Sequence, residues 1–429
     1  MSVISTMATA ISGLEANAQE LSVISDNIVN ANTTAYKASR GEFQSVLAQD
    51  LFATSSELGR GVNMAGITSL FSQGPITKTD RSTDVAINGN GFFVLKGDFR
   101  GLSYTRDGSF RFDKDGWLTT LNGQRVQAYA ASNDNRITGK LGDIRIPYNS
   151  IPAKATDRID MHINLDARLP VSKAFDPAHP DDSAQFNASV QIFDSVGNAH
   201  PVGVYFNKTA DSTWSWHAMT DGGEIAGGTP GKPEMIAKGE LKFDPHGKLS
   251  NVEQNILNTS FSNGAIADQD LKFDFGREEN VDGEGNVLDR TTQFGSKNAI
   301  FRSSQDGFAA GYLADTNIDT DGTITGIYTN GQNRLLGQLA IARFDAPERL
   351  TKAGQNQYRE TVYSGQAAIG SPNSNGRGSV NPKSLESSNV DIAKEFVDMI
   401  KAQRGFQASA KSITTANEML DEVINLRRN

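Results

Sequence analysis

Five histidines, His162, His179, His200, His217 and His246, are the residues of this 429-residue chain best suited to acid-base or metal chemistry. Their spacing serves neither: no two stand at helical ligand spacing and no H-E-x-x-H occurs, so surface and turn positions are expected for them. A serine nucleophile elbow and a G-x-x-x-x-G-K-[ST] phosphate loop are both missing from the sequence. Cysteine is absent, which excludes disulfides, thiolate metal ligands and a cysteine nucleophile. "NIDTDGTITGIY" sets Asn317, Asp319, Asp321 and Gly322 where a calcium loop wants them, but Tyr328 stands where the bidentate glutamate belongs, and a tight hairpin turn is expected instead. "NGNGFF" at 88–93 reads as a glycine turn between strands, not a dinucleotide loop opening a helix. Trp214 and Trp216 in "TWSWH" hint at a sugar platform, against the plainer expectation of one core and one surface indole. The residues point to no catalytic, metal or cofactor site.

The elements are more informative. Ile4, Met7, Ile11, Leu14, Ala18, Leu21 and Ile28 recur at alternating intervals of three and four, broken only by Ser25, which is a heptad seam. Ile392, Phe396, Met399, Phe406, Ala410, Ile413, Leu420 and Ile424 repeat the pattern at the other end, interrupted by Gln403 and Asn417. Ser388 followed by Asp391 supplies a capping signal, and Arg427 and Arg428 complement the helix dipole at the far end. Between about 77 and 363 the pattern shifts to short alternating runs, and most of the chain's six Asp-Gly and six Asn-Gly pairs fall there, as hairpins require. "SYTRDGSFRFDKDGWLTTLNGQRVQAY" predicts a β-meander turning at Asp107-Gly108, Asp115-Gly116 and Asn122-Gly123.

Residues 149–298 read as an insertion, opened by "IPAKATD" and closed by the polar "REENVDGEGNVLDRTT". "SGQAAIGSPNSNGRGSVNPKSLESSN" reads as a linker before the last helix. The fold class is therefore mixed, mainly β with α-helical termini. Two isolated helices joined through such a long intervening chain are marginal. The terminal segments are expected to be largely disordered in a lone chain and to order when neighbouring copies supply apolar surface.

Composition narrows the partners. With 41 basic against 50 acidic residues the formal charge is -9, which argues against nucleic acid and anionic membranes. No run is long and apolar enough to insert into a membrane, and "MSVISTMATAISGLEANAQE" has no basic n-region, so the ordinary secretory address is missing.

"SDNIVNANTTAYK", residues 25–37, closely resembles the signature of the axial proteins of the bacterial flagellum, the rod and hook subunits. "DVAINGNGFF", the meander block and "LESSNVDIAKEFVDMIKAQRGFQASAKSITTANEMLDEVINLRR" resemble further blocks of that family, together covering about the first 130 and last 100 residues. Rod subunits are shorter and lack the insertion, so the resemblance implies a hook-type structural subunit, not an enzyme. It implies a coiled-coil-like inner tube from 1–33 and 386–429, a connecting segment from 34–76 and 366–385, a β-rich middle domain from 77–148 and 299–365, and a β-rich outer domain from 149–298. The subunit would self-assemble into a flexible curved tube, a universal joint carrying motor torque from rod to filament. Its implied partners are other copies of itself, a distal rod subunit, a hook-filament junction protein, a hook cap and the flagellar type III export apparatus. Its implied place is the extracellular hook, reached through the flagellar channel without a cleaved signal.

The expected polymerisation interface is Ile4, Met7, Ile11, Leu14, Leu21 and Ile28 with Phe396, Met399, Phe406, Ile413, Leu420 and Ile424. The signature turn is Asn27, Asn30, Asn32, Thr33, Tyr36 and Lys37, whose Asn and Thr side chains are expected to cap the carbonyls of the first helix. Ala35 stands where the family usually has glycine, a strain of about 1 kcal/mol if the position needs positive φ. Two other classes stay open: a distal rod-type subunit with an inserted domain, and a carbohydrate-binding β-protein.

Overall fold

The computed structural model describes residues 3–46, 49–50, 57–58, 60–97, 101–132, 135–146, 150–257, 259–276 and 290–426. Apolar periodicity with no proline carries the first helix through Val3–Val29 and the last through Ile392–Leu426. The start signal of the last helix lies later than expected: Asp391 Oδ1 accepts from Ala393 N at 3.0 Å and Lys394 N at 3.2 Å, while Ser388 Oγ only receives Val390 N at 3.3 Å. Arg427 and Arg428 lie outside the described residues. Among the described residues no helix is long and apolar enough to cross a membrane.

Two compact units divide the chain. The first comprises residues 1–148, 314–327 and 333–429 and holds both helices, which pack together. Beside the N-terminal helix runs an antiparallel ribbon, Ser39–Ser45 with Val62–Ser69, bulged between Glu42 and Phe43. A six-stranded sheet runs in the order Thr351–Gly354, Gln357–Arg359, Leu102–Thr105, Phe92–Lys96, Ile341–Arg343, Ala368–Gly370. Its core is a cluster of edge-to-face aromatics, Phe71, Phe92, Tyr104, Phe344 and Tyr358. The expected linker is instead structured. Ala368–Gly370 pairs with Ile341–Arg343, Ser379–Pro382 with Val85–Asn88, and Ser384–Glu386 with Ile76–Lys78, so backbone pairing outweighs a loop-like composition.

In the meander, Gly116 and Gly123 take positive φ, both +82°, as hairpin turns demand. Gly108 is needed for a different reason: any Cβ there would run into the carbonyl oxygen of Val85. The "NIDTDG" segment turns between strands Leu313–Ile318 and Thr323–Tyr328, with Gly322 N donating to Asp319 O at 2.9 Å.

The second unit comprises 149–313 and 328–332. An up-and-down sheet of Phe186–Phe193, Ala199–Ala210, Thr213–Asp221, Pro233–Phe243 and Leu249–Ile256 shares one apolar core with a three-stranded sheet centred on Arg158–Asn164. Ala299–Gln305, read from the sequence as part of the middle domain, pairs with Arg158–Asn164 here. The exit stretch 277–289 lies outside the described residues.

Trp214 and Trp216 are both fully buried, which corrects the one-in, one-out expectation. Side chains two apart on a strand share a face, so both indoles turn into the core with Ala218, leaving no sugar platform on that strand. His162 and His200 are also buried, not superficial. His200 sits between Glu224, at 2.6 Å from Nδ1, and Asp194, at 3.2 Å from Nε2. His217 stacks face to face on Phe175 at 4.1 Å, and burial, with Lys238 nearby, pushes its pKa down to about 4. The fold favours the neutral ring, so the contribution is full above the unfolded value of about 6.5 and is lost as pH falls toward about 4. A urea titration of the second unit should show stability dropping across that window, and His217→Phe should flatten that part of the profile.

Candidate functional site

The two terminal helices meet on a stripe of small residues. A side chain at Gly13 would press on Ser409 and one at Gly405 on Asn17, whose Nδ2 donates to Gly13 O at 2.6 Å. Ala16, Val23 and Ile24 are the buried apolar residues of the first helix, and Ala402 and Ala416 those of the last. Gly405 costs about 1 kcal/mol of helix propensity, which close approach of the helices offsets. Glu20 lies beside Gly41, one carboxylate oxygen buried and unpartnered. Burial raises its pKa above the usual carboxylate range, and the charges of Asp398 and Glu395 raise it further.

The expected seam is only partly covered. Ile11 is 39% exposed and Phe396 49%, and beside Phe396 the last helix also exposes Ile392, Val397 and Ile400. Met7, Leu14, Leu21, Ile28, Met399, Phe406, Ile413 and Leu420 are half-buried, while the side chains of Ile4 and Ile424 lie outside what is described. Ile11, Ile392, Phe396, Val397 and Ile400 thus stay exposed, while small residues line the closest approach of the pair.

Below the helices the signature turn builds a buried polar hub. Asn30 alone among the four expected caps reaches a helix carbonyl, Nδ2 donating to Asp26 O at 2.9 Å. Thr33 Oγ1 donates to Asn30 Oδ1 at 3.1 Å, and Asn32 is exposed. Asn27, facing inward, copies a strand partner: its Nδ2 donates to Ser39 O and its Oδ1 accepts from Ser39 N, both at 2.8 Å. The same Nδ2 lies 3.2 Å from Glu395 Oε2, tying the two helices. Tyr36 donates its hydroxyl to Asp26 at 3.0 Å, and its pKa rises through burial first and Asp26 second. Ala35 does take positive φ, +57°, as its N–H donates to Glu386 O at 2.8 Å.

Lys37 is the centre. Fully buried, its Nζ donates to Glu386 Oε1 at 2.6 Å and Ser72 O at 2.8 Å. Gly74 N reaches the same carboxylate oxygen at 2.9 Å, while Arg106 Nη1 lies 3.4 Å from the other. Arg106 Nη2 donates to Gly89 O at 2.9 Å and its guanidinium lies over Phe92. Burial lowers the pKa of both cations, and Glu386 opposes that shift in each. Asn389 completes the hub: Oδ1 accepts from Ala38 N, and Nδ2 donates to Leu70 O, both at 2.8 Å. Arg106, Glu386 and Asn389 were not singled out from the sequence; they sit inside the family-like blocks, but nothing local marks them as partners of Lys37.

Paired terminal helices, with β-rich units inserted between them in the chain and a buried polar root at Lys37 and Glu386, are the architecture of an axial structural subunit. Family models agree along the chain: "Flagella basal body rod protein" matches residues 7–37, "Flagellar hook protein FlgE/F/G D1 domain" 86–164, "Flagellar basal body protein FlaE D2 domain" 164–308 and "Flagellar basal body rod FlgEFG protein C-terminal" 381–426. The flagellar hook protein FlgE of Salmonella typhimurium is 35% identical, over 97% of this chain and 99% of that protein. That of Borreliella burgdorferi is 32% identical over 98% of each. The crystal structure of Helicobacter pylori flagellar hook protein FlgE2 shares the fold, with a TM-score of 0.52 at 14% identity, over 72% of this chain and all of that one. The chain belongs to the flagellar hook protein family and is a structural subunit of the hook.

Proposed function

We propose that this subunit polymerises through its terminal helices into a curved, hollow tube that passes torque along the flagellar axis without catalysing any reaction. One observation carries the reading: the helices pair through Gly, Ala, Ser and Asn and leave Ile11, Phe396, Val397 and Ile400 facing outward. A pair so lightly held, with Glu20 repelled by its neighbours, gains most of its stability from surrounding copies. Segments 1–33 and 386–429 form the inner tube, 34–76 and 366–385 the connection, 77–148 and 314–365 the middle layer and 149–313 the outer layer. Dense helix packing resists twist. Outer polar contacts, each worth about 1 kcal/mol or less, exchange as the tube bends.

The subunit leaves the cell through the flagellar export channel and adds beyond the rod, meeting a distal rod subunit at one end and cap and junction proteins at the other. The chain has no cysteine, so its copies are held together without any disulfide or other cysteine-derived cross-link. Electron microscopy of the concentrated full chain should show curved hollow tubes, and a variant lacking the second unit's residues 149–313 should give straight ones. Absence of tubes, or a deletion polymer that still supercoils, would overturn the reading.

A further inference from the structure

The turn at 361–365 leaves the six-stranded sheet after Gln357–Arg359 and lifts two adjacent apolar side chains into solvent, Val362 at 95% exposure and Tyr363 at 82%. This turn is stitched by its own side chains. Thr361 Oγ1 donates to Arg349 O at 2.9 Å and accepts from Tyr363 N at 3.2 Å and Ser364 N at 3.1 Å. Ser364, itself buried, accepts from Thr361 N at 2.9 Å and donates to Thr361 O at 3.0 Å. Such a fixed projection loses little entropy on docking, and tyrosine is a favoured anchor at protein interfaces. Within its own copy it covers nothing.

A groove of about 490 Å³ on the same unit has the matching chemistry. Val23, Ile67 and Leu350 supply apolar wall, and Asp26, Glu348 and Lys352 supply charge. It is rooted in the hub, because Lys352 Nζ donates to Ser39 Oγ at 2.7 Å and lies over the Tyr36 ring. Arg359 and Glu360, exposed beside the projecting pair, offer the charges opposite to Asp26 and Glu348 on the one hand and Lys352 on the other.

We propose that Val362 and Tyr363 of one copy seat in this groove on the next copy, a contact additional to the helix seam and resting on the polymer reading. The two patches are different, so the contact is head-to-tail and repeats from copy to copy, and with a rotation that does not close it builds a helical tube. The aromatic ring covers Ile67, and its hydroxyl meets the carboxylates of the groove.

A chain without cysteine allows a clean cross-linking test. Tyr363→Cys and Ile67→Cys are made as separate full-length variants, mixed, assembled and oxidised. The expected product is a mixed disulfide dimer joining the two variants, identified by mass spectrometry, formed in tubes and absent from the dilute mixture. Tubes without that dimer overturn this contact and leave the helix seam standing, as does a like-with-like dimer from Tyr363→Cys alone. Failure of the unsubstituted chain to form tubes overturns both. Separately, the double variant Val362→Ser, Tyr363→Ser should raise the critical concentration for assembly about tenfold or more with both thermal transitions unchanged, and an unchanged critical concentration counts against the proposal.

Discussion

Glu386→Gln should destabilise the helix-bearing unit by about 3–5 kcal/mol, the cost of leaving buried charge without its counter-ion. Among the described residues this carboxylate is the only acidic group bonded to Lys37 and Arg106, and both cations are buried. Glutamine keeps the shape and can still accept from Gly74 N, but it leaves two positive charges facing each other out of water. Calorimetry should show the transition of that unit falling by about 10 °C or more while the second unit holds. Lys37→Met should cost less, because it leaves one cation against one carboxylate and Ser72 O keeps its bond from Asn389. The double variant should be less damaged than the sum of the singles, the signature of direct coupling. If Glu386→Gln melts like the parent, the hub does not hold the helices to their β-rich root.

That hub marks the boundary of what sequence reasoning reached. Lys37 and the Asn-rich turn stand out because composition changes abruptly where the apolar seam stops. Their partner lies 349 residues away, and a single glutamate in a polar stretch carries no local sign that it will be buried. Composition also misled in the stretch 366–385: Gly, Ser, Asn and Pro are common in linkers, yet three of its segments complete sheets whose other strands come from distant parts of the chain.

Periodicity served better. The 3.5-residue repeat located both helices to within a few residues, because the repeat is itself the cause of the helix face. It did not tell which face meets the partner helix. Alanine and glycine score poorly in an apolar pattern, yet they are what allows two backbones to approach, and some of the large residues that dominate the pattern, Ile11 and Phe396, stay exposed. In "TWSWH" the expectation of one core and one surface indole overlooked the period of two, which puts both on one face and buries both.

The seam itself yields the second large effect. Ile11→Asp should abolish tubes while the isolated chain keeps both units folded and its far-UV signal, since the side chain is 39% exposed and is not among the buried residues of the first helix. Ile11→Ala should be graded: with Ile11 39% exposed in the isolated chain, losing the burial that assembly adds, about 1 kcal/mol per copy, raises the critical concentration roughly fivefold, at about 1.4 kcal/mol per tenfold. Ala16→Asp is the informative contrast, because it drives a carboxylate between the two helices near the already repelled Glu20. It should lower helical content in the isolated chain as well as blocking assembly. Sedimentation for polymer and circular dichroism for the isolated chain separate the two variants. Should Ile11→Asp cost the isolated chain as much stability as Ala16→Asp, the seam is the chain's own core and the outward face must be sought elsewhere.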